Sequence, residues 1–129
     1  MELFKWTDEY SVKSEVLDTQ HKKLFEIINN LYSAFAKNEH NKILGDILEE
    51  LHQYTIYHFS EEARILDEKN KPLPLEHIKA HEQFIQKIEE FKQKFEKGKA
   101  GITYEIMNFL RQWLKDHILG KDKEYASAF

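Results

Sequence analysis

A chain of 129 residues is long enough to bury a core without covalent staples, and a formal net charge of −4 argues against the concentrated basic face that nucleic-acid binding needs. It has no cysteine, which removes disulfides, zinc–thiolate sites, iron–sulfur clusters and thiol nucleophiles. No apolar run approaches the ~20 residues that span a bilayer, and the start MELFKWTDEY shows no apolar leader, so a cytoplasmic protein without membrane insertion is expected.

Taken in chain order, the first 17 residues hold Trp6, Tyr10, Val12 and Val16 without a sustained period, and they read as an extended arm packed on the body of the domain. Helical spacing begins near Asp18, a candidate N-cap, and continues to about Lys37 with Leu24, Ile28, Leu31 and Phe35 on one stripe. A second helix is predicted over about 41–67, with Leu44, Ile47, Leu48, Leu51 and Thr55. NKPLP breaks it, and Pro74 suits the first turn of a third helix over about 74–97, carrying Ile78, Phe84, Ile85, Ile88, Phe91 and Phe95. KGKAG ends that one, and a fourth over about 103–119 carries Ile106, Phe109, Leu110, Trp113 and Leu114. No segment alternates like a strand, and no linker or repeat divides the chain. Short connections make neighbouring helices antiparallel, so the expectation is a single all-α domain over 1–129, an up-down-up-down four-helix bundle with an N-terminal arm.

Extending each stripe by whole turns brings polar residues into positions that should be buried. His21 precedes Leu24 by three, His58 follows Leu51 by seven, and Glu62 follows His58 by four. His77 and His81 lead into Phe84, Ile85 and Ile88, and His117 follows Trp113 by four. One core histidine bonded to a carbonyl would be unremarkable. Five histidines and a glutamate facing one another are hard to satisfy in pairs, because each buried polar group without a partner costs several kcal/mol. A metal satisfies them together, and histidine without cysteine suits iron, zinc, copper or nickel. Asp122 lies five residues after His117, about 140° away on a continuous α-helix. A left-handed end at Gly120 would fold it back toward the others; otherwise it is a surface aspartate. His40 falls in a turn and His52 about 100° off its stripe, so both are expected at the surface.

The stretches WTDEYSV, LDTQHKKLF, HFSEEA, HIKAHEQF and WLKDHILGKDKEY, in this order and spacing, resemble the hemerythrin family, in particular its single-domain bacterial members, over nearly the whole chain. The resemblance implies a non-heme di-iron centre. His77, His81 and His117 would hold one iron, His21 and His58 the other with an open position, and Glu62 and Asp122 would bridge them beside an oxo or hydroxo group. It implies reversible dioxygen binding without turnover, hence no enzyme, for oxygen transport, storage or delivery. An oxygen-consuming enzyme is a candidate recipient, and a monomer is expected. Leu24, Phe25, Phe59, Trp113 and Ile118 are candidates for a dry shell around the site, and Tyr125 for support of Asp122.

Two other readings compete. A ferritin-like di-iron oxidase or iron store needs a Glu-x-x-His on each of two helices, and Glu49–His52 is the one match here. A sensor of oxygen or nitric oxide would use the same site. A zinc peptidase fits poorly, because Ile78 stands where the general-base glutamate of HExxH belongs.

Overall fold

The computed structural model describes residues 4–37, 41–98, 102–126 and 129. A short 3₁₀ turn, Asp8–Tyr10, precedes four helices: α1 Glu15–Ala36, α2 Asn41–Glu68, α3 Leu75–Glu96 and α4 Ile102–Asp116, the last running directly into a π-helical segment, His117–Asp122. No strand occurs among the described residues.

Contacts between α2 and α3 run in opposite directions: Gly45 lies beside Phe95, Glu49 pairs with Lys92, His52 with Glu89, and Glu62 with His77. The same inversion links α3 to α4, through Phe91 with Phe109, Phe84 with Trp113 and His77 with His117. With α1 packed on α2 and also meeting α4, the bundle closes as the expected antiparallel four-helix arrangement. No described helix is long and apolar enough to cross a membrane.

The helix ends follow local chemistry, with one departure at the start. The N-cap of α1 is Ser14, whose hydroxyl accepts from the Leu17 N–H at 3.3 Å, so the helix begins three residues before Asp18. Asp18 holds the arm instead. Its carboxylate accepts from the Ser11 hydroxyl at 2.6 Å and from the Val12 N–H at 2.8 Å. A second clamp joins Phe4 to α1, where the Asn29 amide both accepts from the Phe4 N–H and donates to its carbonyl, each at 2.8 Å. Helix α2 ends in a Schellman motif: Asn70 takes a left-handed φ of 58°, its N–H bonds the Asp67 carbonyl, and the Lys71 N–H bonds Leu66. Pro74 sits at the N-cap of α3, one place before the first turn expected of it. Gly98, at φ 68°, closes α3.

The core is in two parts. The larger cluster includes Leu24, Ile28, Leu31, Leu48, Leu51, Phe84, Ile88, Leu110 and Leu114; the smaller contains Val12, Leu17, Leu66, Leu73 and Tyr125.

At the end of α4 the structure corrects the sequence expectation. Gly120 is not a left-handed cap, since Gly98 is the described glycine with positive φ. The chain stays helical, but from His117 to Asp122 it widens to the π form, whose i→i+5 bonding stacks residues five apart. That brings Asp122 onto the face of His117. A Cβ added at Gly120 meets nothing within 4 Å, whereas Gly98 needs its positive φ. Gly120→Ala should therefore be neutral or stabilising by about 0.5–1 kcal/mol, while Gly98→Ala should destabilise by about 1 kcal/mol. Chemical denaturation of the two variants checks this, and a Gly120→Ala loss as large as that at Gly98 would restore the capped reading.

Candidate metal centre

Between the two apolar clusters lies a polar layer, and each helix contributes to it at the point where one cluster gives way to the other. On α1, His21 stands between Leu17 and Leu24; on α2, His58 and Glu62 stand between Leu51 and Leu66. On α3, His77 and His81 lie between Leu73 and Phe84, and the π segment brings His117 and Asp122 between Leu114 and Tyr125. All seven side chains are buried, from fully enclosed His21 and Glu62 to His81 and His117 at 5% exposure. The structure thus brings together every residue that the sequence singled out as a candidate ligand.

The two carboxylates divide the layer. Glu62 Oε1 lies 3.3 Å from His77 Nε2 and 3.5 Å from His81 Nε2, and Asp122 Oδ1 lies 2.9 Å from His77 and 3.1 Å from His117. The other oxygens face the opposite way. Glu62 Oε2 is 3.1 Å from His58 Nε2 and 3.8 Å from His21 Nε2, and Asp122 Oδ2 is 3.3 Å from His21. Each carboxylate therefore presents one oxygen to a three-histidine group and one to a two-histidine group.

These approaches do not satisfy the atoms involved. Both Glu62 oxygens and both His21 nitrogens are buried without a hydrogen bond. On the three-histidine side, His117 Nε2 lies 3.1 Å from His77 Nε2 and 3.0 Å from His81 Nε2, so three lone-pair sites converge on one region. Bonds of about 2.1 Å to an octahedral ion place neighbouring donors about 3.0 Å apart. The donor set fits metal ions on both sides of the carboxylates: His117 stands from His77 and His81 at the spacing of ligands sharing an ion, the donor atoms of each group lie within 4.8 Å of one another, and the orphaned Glu62 oxygens and His21 Nε2 are what such ions would satisfy.

An aromatic shell surrounds the layer. Phe59 stacks on His81 at 3.8 Å and 1°, Trp113 on His117 at 4.3 Å and 11°, and Tyr125 on His77 at 6.1 Å and 15°. Leu24 and Ile118 are each 1% exposed in the larger apolar cluster. Phe25 has its ring contacts with Phe4, Trp6 and Tyr10, so it anchors the arm to α1. The Tyr125 hydroxyl is buried without a hydrogen bond, and burial, then the Asp122 and Glu62 carboxylates, push the phenol well above its usual range.

Two positions differ from expectation. His52 is not a surface residue: it is half-buried on the seam with α3, Nε2 3.7 Å from Glu89 and Nδ1 3.3 Å from the Lys92 ammonium, because its 100° offset points it at α3. Gln20 is a contact that stripe analysis passes over. It is 7% exposed, and its Oε1 lies 2.7 Å from His58 Nδ1. Its sole signal in the sequence is adjacency to His21. His40 lies outside the described residues.

Without a metal, protons take the role of cations. Burial opposes protonation of His21 and His77, but Asp122 and Glu62 outweigh it and raise both to about 9. Burial, with the neighbouring His117 and His77, lowers His81 to about 3, despite the opposing pull of Glu62. Burial lowers His58 as well. Burial works to raise both carboxylates, joined at Glu62 by repulsion from Asp122, and the histidines prevail and lower both. Since metal binding needs neutral imidazole, His21 and His77 must each shed a proton. At pH 7, these two imidazoles should contribute about two protons per chain to those released on loading, a contribution that falls toward zero as the pH passes 9. Indicator-dye titration of the metal-free protein measures this, and release that is flat between pH 7 and 10 would count against the assignment.

Comparison with known proteins agrees with this geometry. A family model described as the hemerythrin HHE cation-binding domain matches residues 12–129. A bacteriohemerythrin of Clostridium acetobutylicum is 36% identical over 128 residues, covering 95% of this chain and 98% of that protein. One from Stenotrophomonas maltophilia is 32% identical over 126 residues, covering 98% and 81% respectively. A crystal structure of wild-type hemerythrin superposes with a TM-score of 0.87 at 28% identity, covering 98% of this chain and 97% of that one. The family model covers all seven residues of the polar layer, and the chain belongs to the hemerythrin family.

Proposed function

We propose that this chain binds dioxygen reversibly at two iron ions held in the polar layer. The observation that carries the reading is the division of the layer by Glu62 and Asp122, each turning one oxygen to three histidines and one to two. His77, His81 and His117 would hold one ion, His21 and His58 the other, and the two carboxylates both. The second ion then has one protein ligand fewer than the first, which leaves room there for a small exogenous ligand. Iron held by these residues would supply the two electrons that reversible dioxygen binding requires and would recover them on release.

The remaining properties come from the chain. Five neutral imidazoles and two carboxylates bring a charge of −2 to the layer, so the protein neutralises only part of the charge of two divalent ions. That should stabilise highly oxidised iron less than a carboxylate-rich set would, favouring release over bond cleavage. Phe59 and Trp113, stacked on ligand imidazoles, fix ring orientation and exclude water on that side. Leu24, a turn beyond His21 and 1% exposed, is placed to keep the two-histidine side dry. The carboxylate-rich alternative loses its motif, because Glu49 and His52 meet Lys92 and Glu89 on the α2–α3 seam, outside the layer.

Protein produced with adequate iron should contain about two irons per chain. The reduced form should gain a new absorption band in air and lose it when oxygen is withdrawn. One zinc per chain with no capacity for iron, or oxidation that oxygen removal does not reverse, would end the proposal. His58→Ala and His81→Ala should lose iron or oxygen binding, while His52→Ala should bind both like the parent. Leu24→Ser should cost ~2–3 kcal/mol of stability and keep its iron, but its oxygenated form should decay to ferric protein faster than the parent's. Hours of spectral monitoring after stopped-flow mixing compare the two, and equal decay in a folded, loaded variant would assign Leu24 to core packing alone.

A further inference from the structure

On the two-histidine side the imidazoles are held unequally. The far nitrogen of His21, Nδ1, is buried with no partner, whereas that of His58 lies 2.7 Å from Gln20 Oε1 in a buried contact. Among the described residues, this is the one hydrogen bond between a protein side chain and the far nitrogen of any of the five histidines in the layer. Gln20 is itself fixed: it lies within α1, and its backbone carbonyl accepts from the Tyr54 hydroxyl of α2 at 3.2 Å.

The chemistry of the contact allows one arrangement when a metal is bound. A coordinating Nε2 must offer its lone pair, so the ring proton of His58 must sit on Nδ1. A proton on Nδ1 needs an acceptor, so Gln20 must present Oε1 and not its amide nitrogen. The reverse amide orientation would make Nδ1 the acceptor and place a proton on Nε2, blocking coordination. Residue 20 thus selects between a competent and an incompetent tautomer of one ligand. The strength of the acceptor also matters. An amide oxygen draws on the Nδ1 proton less than a carboxylate does, and ligand basicity rises with that pull.

We infer that Gln20 is a positioning residue for the metal centre: its side-chain oxygen fixes the tautomer of His58, and its neutral character limits how strongly His58 donates to the ion it binds. This rests on the proposed di-iron function, and it adds that the two-histidine side is tuned from one residue outside the ligand set. Gln20 also lines a surface cavity of about 570 Å³ with Val16, Tyr54 and Tyr57. A substituted side chain there has space to turn outward, so a change at this position need not disturb the helix packing.

The test compares Gln20→Leu and Gln20→Glu with the parent. In metal-free protein, nitrogen-15 chemical shifts of the His58 ring should show the proton on Nδ1 in the parent and in Gln20→Glu. Gln20→Leu should show a mixture of tautomers. With iron loaded, Gln20→Leu should lose ferrous iron to a chelator about 10- to 100-fold faster than the parent, the range for removing an outer-shell partner of a ligand. Gln20→Glu should restore retention and shift the midpoint potential of the pair below the parental value. A merely structural role would lower thermal stability in both variants and leave the potential where it was. Parental iron loss and an unchanged Nδ1 proton in a folded Gln20→Leu variant would overturn the inference while leaving the di-iron function intact. A parent chain that takes up no iron would instead bring down that function, and the tautomer measurement would still decide whether Gln20 governs His58.

Discussion

The constraint on which this structure depends is the burial of two carboxylates and five imidazoles in a layer only one or two turns deep. Neither Glu62 oxygen has a hydrogen bond, and Asp122 is 1% exposed. Leaving an unpaired charge in such a place costs several kcal/mol, a large share of the margin by which a domain of this size is stable. The hydrocarbon on either side serves as a mould. Leu24, Leu51, Phe84 and Leu114 close the layer from one direction, and Leu17, Leu66, Leu73 and Tyr125 from the other. Function and instability share one cause, since atoms that find no partner within the protein are the ones free to bind something else.

Aromatic residues brace that layer and the arm beside it. Phe59 and Trp113 lie flat against His81 and His117, and the arm brings Phe4, Trp6 and Tyr10 onto Phe25 of α1. The arm is fastened by polar bonds at two points, Asn29 and Asp18, which straddle His21 in the sequence. Its order is therefore tied to the helix that brings the lone α1 histidine into the layer.

Helical periodicity makes the bundle and most of the layer legible in the sequence, because each candidate ligand shares a stripe with residues that must be buried. His21, His58, Glu62, His77, His81 and His117 are all reachable by counting threes, fours and sevens from a leucine, phenylalanine or tryptophan. The same method has no purchase where contacts depend on something other than the stripe. Asp18 resembles an N-cap in one dimension, but Ser14 four residues earlier satisfies the helix and frees the carboxylate for the arm. His52 does lie off its stripe, yet being off one helix's stripe can mean facing a neighbour, and Lys92 of α3 is that neighbour. Gln20 acts through a 2.7 Å contact that no period encodes. Asp122 reaches the layer by a route that local sequence does not suggest, since a change of helical pitch, and not a glycine turn, brings it there.

That change of pitch has a consequence for how such a site is gained or lost over generations. Within His117–Asp122 the alignment of imidazole and carboxylate depends on the number of residues between them, not on the identity of Ile118, Leu119, Gly120 or Lys121. A single-codon deletion inside this stretch would keep every ligand in the reading frame and let the segment relax to the ordinary α-helical pitch. The four-residue spacing left behind could still align the two ligands, and Tyr125, three residues beyond Asp122, would keep its phase with the carboxylate. A single-codon insertion would carry Asp122 away from the layer altogether. Descendants of this chain could accept substitutions at Leu119, Gly120 and Lys121 more readily than at buried Ile118, but their catalogue of tolerated lengths there should be short.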